Sequence, residues 1–270
     1  MRPSIRLLAP LCLSVAGSIA CAHDTWLEAT PTVVRPSDVV HVGLFLGNHG
    51  NDHRDFKIAG KVGSLDEVQL EVIAPDGRRT DLVPDMVDLG YAPKEGFWSG
   101  RFVPAAAGLH CVGHFRQGIR HGARAFKGGK TYFLASESLD MPGKPDASGS
   151  GLPDPLGHPL EFVLESDPVL GCGAGKPIAV KLLFKGKPLA DQVVSFIPRG
   201  TTLAAGFDAS HERRTDGEGR CTYTPREGNR VLVVAHVVRP DETGEGYDKT
   251  AYAATLVIDV PQRCPCCADD

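Results

Sequence analysis

Ten histidines and eight cysteines are the residues in this 270-residue chain best suited to bind a transition metal. His23 comes first. If a leader were cleaved after Ala22, His23 would become the amino-terminal residue, and its α-amine and imidazole Nδ1 could then chelate one ion. An α-amine titrates near about pH 8, so a useful fraction is neutral at physiological pH. Cu(II) and Ni(II) suit nitrogen-rich, planar or tetragonal sets, and Asp24 could add an oxygen. The plain alternative is a frayed terminus left by processing.

A second nitrogen source is the segment Gly47 to Asp55, where His49 and His53 stand four apart among Asn48, Asn51 and Asp52. Such a loop can wrap an ion without disturbing a strand ladder; the alternative is an ordinary solvated loop. His110 and His114 flank Val112 on one strand and point to one face. Two pleats separate them, roughly 13 Å, so they are expected on an exposed sheet face without a shared ion. His236 lies on the apolar face Leu232, Val234, Val238, where a lone histidine is usually a hydrogen-bonded core residue. The tail Cys264, Cys266 and Cys267 is the densest soft-ligand cluster, fit for Zn(II) or Cu(I) as thiolates. Disulfides with Cys111, Cys172 and Cys221 are the rival, and spacing does not choose between the two.

No catalytic signature stands out: there is no G-x-S-x-G elbow, H-E-x-x-H pair, Walker loop or dinucleotide fingerprint. The reading is therefore not an enzyme, with copper oxidation at a paired-imidazole site as the enzymatic alternative. The net charge is −4, from 29 basic and 33 acidic residues without long blocks of either sign. A nucleic-acid partner would call for a basic patch or stripe.

The elements that must position these residues read as strands. The chain holds 31 Gly and 21 Pro, which favours short strands and many turns over a helical bundle. Residues 1–22 carry Arg2 and Arg6, an apolar run from Leu7 to Ile19 and the small closing residues Ala20-Cys21-Ala22, the pattern of a secretory signal peptide. Its removal leaves six cysteines in an oxidising compartment. Lipidation at Cys21, giving an anchored lipoprotein, is the alternative route. No later stretch is apolar enough to span a membrane.

Strands are expected at 39–46, 68–73, 97–103 and 109–115, with a less regular one at 126–135. Residues 140–159 are rich in Gly, Pro, Ser and Asp and read as a linker. Further strands are expected at 160–164, 178–184, 193–197, 221–224, 231–238 and 251–260. The fold class is thus all-β, with two tandem immunoglobulin-like or transthyretin-like β-sandwiches at 23–139 and 160–260, after a cleaved signal peptide and before a Cys-rich tail at 261–270.

Four segments carry a family resemblance. They are His23-Asp24-Thr25-Trp26-Leu27-Glu28, Pro155-Leu156-Gly157-His158-Pro159-Leu160-Glu161, Leu183 to Ala190, and Arg214-Thr215-Asp216-Gly217-Glu218-Gly219-Arg220. Together they make the chain, from His23 to about Val260, resemble the bacterial DUF4198 family of exported proteins. The later half is similar to transthyretin-like or carboxypeptidase-regulatory sandwiches. The resemblance implies a periplasmic or secreted protein, in some members an accessory of nickel or cobalt uptake. Taken with the nitrogen-rich residues above, which also suit copper, the expected ligand is a divalent metal (nickel, cobalt or copper), with a membrane metal-transport component as partner. The resemblance also strengthens His23 as a ligand and marks His236 as a site residue near the groove between the sandwiches. The alternative is a non-catalytic envelope binding or assembly module without metal.

Overall fold

The structure is a computed structural model that describes residues 23–47, 65–92, 95–140, 142–143 and 151–262. The expected leader with Cys21, the loop residues His49 and His53, most of the linker, and Cys264, Cys266 and Cys267 lie outside the described residues. Among the described residues, no helix is long and apolar enough to cross a membrane.

The first half contributes β1 (Asp24–Thr30), β2 (Val33–Val34), β3 (Val40–Gly47), β4 (Val68–Ile73) and β5 (Arg79–Asp81). It continues with β6 (Val87–Ala92), β7 (Glu95–Phe102), β8 (Gly108–Arg120) and β9 (Ala123–Ala135). The second half adds β10 (Leu160–Leu164), β11 (Ile178–Phe184), β12 (Lys187–Pro188) and β13 (Val193–Pro198). It ends with β14 (Glu212–Arg214), β15 (Arg220–Tyr223), β16 (Asn229–Arg239) and β17 (Lys249–Val260). The chain is all-β and builds β-sandwiches. The strands expected at 68–73, 160–164 and 178–184 have the predicted bounds. The less regular strand expected at 126–135 is the thirteen-residue β9, which begins three residues earlier.

One sheet belongs to both halves. Its nine strands run β14-β13-β16-β17-β9-β8-β4-β5, with β2 also on β9. The junction is a parallel ladder between β9 and β17, from Ala123↔Lys249 to Thr131↔Val257. A four-stranded sheet β1-β3-β7-β6 covers one face, and a smaller sheet of β10, β11, β12 and β15 covers the other. Strands covered on both sides read as near-continuous apolar runs, and alternate residues serve different cores. Val72, Val112 and Phe133 pack with Leu27, Val42 and Leu44 of the first sheet. Ile73, Cys111 and Tyr132, next to them in sequence, join Phe162, Val180 and Val233 in the opposite core.

This layering corrects the expectation for His110 and His114. They do share a face, but both are 1% exposed, because the β1-β3-β7-β6 sheet lies over that face. His110 stacks on Phe133 at 4.7 Å, and its Nδ1 lies 2.9 Å from the Gly108 carbonyl.

Candidate functional site

Strand β1 uses both of its faces. Leu27 and Ala29 enter the core of the first sandwich. Asp24, Trp26 and Glu28 project to the other side, as the two-residue period of a strand requires, and meet alternate residues of β16. Trp26 is fully buried against Leu232, Val234 and Val257. It also stacks on its cross-strand neighbour Phe45 at 5.6 Å, and its indole N–H donates to Glu28 Oε1 at 2.9 Å. Glu28, 5% exposed, accepts from Arg199 at 2.7 Å and pairs with Arg230, which also reaches Asp259 at 2.8 Å. A buried carboxylate needs such partners. Strand β1 therefore clamps the first sandwich onto the second half.

At the outer end of this clamp, Asp24 Oδ1 lies 2.7 Å from His236 Nε2. The His236 side chain is 38% exposed and that of Asp24 16%. The Asp24 charge raises His236 above its ordinary imidazole value, against burial, and the hydrogen bond adds to the rise. Burial pushes the Asp24 carboxyl up, but His236, Lys127 and His23 together hold it below its ordinary value. Lys127 Nζ donates to the His23 carbonyl at 2.8 Å, tying the residue before β1 to β9. Gly47, the last residue of β3, is the register partner of Asp24, so the described chain leaves β3 beside this pair.

The structure thus brings His23, Asp24 and His236 to one end of the fold. A histidine with one ring nitrogen on a carboxylate has its tautomer and orientation fixed, with the other nitrogen left to ligate, the usual support of a metal-bound imidazole. Among the described residues, no group of three or more His, Cys, Asp or Glu side chains stands close enough to hold a metal ion. What the described residues offer is a partial, nitrogen-rich donor set: the His236 imidazole oriented by Asp24, and His23.

Sequence reasoning missed a second histidine pair. Gly128 and Gly129 lie back to back in β9, and each gives room to an imidazole. A Cβ on Gly129 would stand 2.7 Å from His114 Cδ2, and one on Gly128 2.7 Å from His158 Nδ1. Adjacent strand residues face opposite ways, so the two rings flank the strand. Neither His114 nitrogen, nor the buried Thr25 hydroxyl, has a hydrogen-bond partner among the described residues. Burial, with the charge of His158 next, lowers His114 to about 3. Burial lowers His158 to about 4 in spite of Glu161. Glu161 accepts from the backbone N–H groups of Leu156 (2.5 Å), Gly157 (2.9 Å) and His158 (3.0 Å) and pairs with buried Lys130. The segment 155–161 is therefore a carboxylate-centred turn that seats His158 on Phe115, ring centroids 5.1 Å apart. The glycine pair inside an apolar strand was the available signal, since glycine there marks close approach.

Cys111 and Cys221 are buried free thiols in the structure, and Cys172 is buried as well. Burial pushes Cys111 up to about 11 and Cys221 up to about 12, which keeps both as thiols rather than the thiolates that ligate metals.

The model of a family described as a domain of unknown function, DUF4198, matches residues 20–239. No curated protein matches the chain. Among solved structures, the D0-D1 domain of Intimin is similar at 13% identity and a TM-score of 0.25, over 88% of this chain and 98% of that one. A DUF4785 family protein from Legionella pneumophila is similar at 10% identity and a TM-score of 0.28, over 77% of this chain and 51% of that one. A Salmonella alpha-2-macroglobulin reacted with methylamine is similar at 15% identity and a TM-score of 0.26, over 88% of this chain and 15% of that one.

Proposed function

The chain belongs to the DUF4198 family, and from that premise we propose an exported protein that binds a divalent transition metal as cargo. The metal is nickel, cobalt or copper, and the protein is an accessory to its uptake or homeostasis. Binding takes place where β1 begins. The observation that carries this reading is the Asp24–His236 pair, 2.7 Å apart and partly open to solvent, directly beside His23.

Cleavage after Ala22 would free the His23 α-amine, so that this amine and the His23 imidazole stand together beside a ring already oriented by a carboxylate. His49 and His53 follow Gly47 in sequence, and Gly47 is paired with Asp24, so they are the nearest further nitrogen donors along the chain. The tail cysteines Cys264, Cys266 and Cys267 are a separate soft-ligand candidate. In this reading His23 captures the ion from solvent, His236 holds it, and Asp24 keeps the His236 ring in place. Release to a membrane transport component proceeds by ligand exchange.

Isothermal titration of Ni(II), Co(II) and Cu(II) into protein beginning at His23 tests the proposal. One residue added before His23, or His236→Asn, should each weaken binding by about 10- to 100-fold, the scale of losing an orienting or ligating group. Equal affinity in all three proteins would overturn it.

A further inference from the structure

A cleft of about 590 Å³ opens in the second half of the fold where β13, β14, β15 and the start of β16 meet. His211 and Arg213 from one segment and Tyr223, Arg226 and Asn229 from another line it, with Glu227 as the acidic member of the lining. Its size falls within the roughly 300–1,000 Å³ of pockets that hold small molecules.

Arg213 is the informative residue. Its Nη1 donates to the carbonyls of Ala209 at 2.8 Å and Glu212 at 2.6 Å, and its guanidinium carbon lies 5.6 Å from the Tyr223 ring centroid. Carbonyls and a ring face orient a guanidinium without neutralising it. The neighbouring carboxylates are already committed. Asp208 accepts from the N–H groups of Ala204 (3.0 Å) and Ser210 (2.9 Å) and faces His211 Nδ1 at 3.3 Å. Glu212 accepts from the Ser195 hydroxyl (2.9 Å) and the Asp208 N–H (2.7 Å). Other guanidiniums of this half do hold carboxylates: Arg199 and Arg230 on Glu28, Arg220 on Glu165, Arg214 on Asp191. Among the described residues, no carboxylate pairs with Arg213 or Arg226. The charges of both reach the Tyr223 phenol, where they oppose the rise that burial causes and Glu227 adds to. A fixed, half-buried guanidinium with no carboxylate paired to it among the described residues, beside a second arginine and a histidine that together outnumber Glu227, is the arrangement that recognises oxyanions by forked hydrogen bonds.

We infer that this cleft binds a small anionic molecule through a carboxylate or phosphate group held by Arg213 and Arg226. The site does not involve His23, Asp24 or His236, so its failure and that of the metal reading are separable.

The test is an amide NMR titration of the mature protein with inorganic phosphate and, separately, succinate at constant ionic strength. At least one probe should give saturable shifts confined to residues 198–231, and the tighter one identifies the group. Arg213→Gln and the exposed Arg226→Gln should each weaken that binding by about tenfold or more, while Arg101→Gln on β7 leaves it unchanged. Circular dichroism confirms that each variant is folded, and Arg226→Gln decides the matter if Arg213→Gln is not. Absence of saturation with both probes, or unchanged affinity in a folded arginine variant of the cleft, overturns the assignment.

Discussion

Asp24 and His236 are separated by 212 residues of sequence and joined by a 2.7 Å contact. The pair is the outermost link of the seam formed by β1 and β16, behind which stand Trp26 on Leu232 and Val234 and Glu28 on Arg230. With His236 partly exposed, solvent screens the pair, so its coupling should be about 1 kcal/mol. A double-mutant cycle of Asp24→Asn and His236→Asn in urea denaturation measures it. A coupling near zero would mean that the contact does not persist in solution.

Deeper in the seam the cost is larger. Trp26→Ala removes a fully buried indole and leaves Glu28 without one of its donors. Such a truncation costs about 3–5 kcal/mol. Because β9 and β17 pair across the junction, the loss should appear as one earlier unfolding transition. Calorimetry of the parent protein should likewise show a single transition whose calorimetric and van't Hoff enthalpies agree. Two resolved transitions, with Trp26→Ala moving only one, would contradict a shared sheet.

The glycine pair in β9 makes a sharper packing prediction. A methyl at residue 129 would stand 2.7 Å from both His114 Cδ2 and Thr255 Oγ1, inside two buried elements with little freedom to retreat. Gly129→Ala should cost about 1–3 kcal/mol through overpacking. Gly118→Ala, where the new methyl meets open space, should be neutral or slightly stabilising. Equal urea midpoints for the two variants would refute the crowding.

Acid should loosen the fold through the same histidines. An unfolded imidazole titrates near 6.5, whereas the fold holds His158 to about 4 and His114 to about 3. Between these values the unfolded chain binds protons that the native state refuses, so stability falls as pH drops below about 6.5. Asp24 is depressed, so its share is present above its ordinary 3.8 and lost as pH falls through its lowered value. His236 is raised, so its share is complete below 6.5 and lost as pH climbs past its raised value. Urea midpoints measured from about pH 6.5 down to about pH 4.5 should decline steadily, and His158→Gln should flatten the decline. A flat profile in the parent protein would contradict the burial of neutral rings.

Much of this architecture was legible in local pattern. Alternation and turn chemistry located β4, β10 and β11 to the residue, because these strands end at Pro, Gly or Asp turns or at the linker. Strand β1 was not read as a strand. Residues 25–29 are buried throughout, so the segment lacks the alternation of a half-buried strand, and its carboxylates at 24 and 28 look like surface residues until their partners on β16 and Arg199 appear. The β9–β17 ladder had no local signature, since a parallel pairing links segments more than a hundred residues apart. His110 and His114 were assigned correctly to one face and wrongly to solvent, because periodicity tells which residues share a face but not what covers it. For the site, the residue types at 23 and 236 pointed to chemistry, and only the tertiary fold could bring Asp24 to His236.

Native mass spectrometry of the protein recovered from cells that make it is the most direct test of the proposed metal capture at the start of β1. The account predicts a chain beginning at His23 that retains one divalent nickel, cobalt or copper ion, and loses it when His236 is replaced by Asn. A chain beginning at an acylated Cys21, or a His23 chain that carries no ion after incubation with those metals, would contradict it.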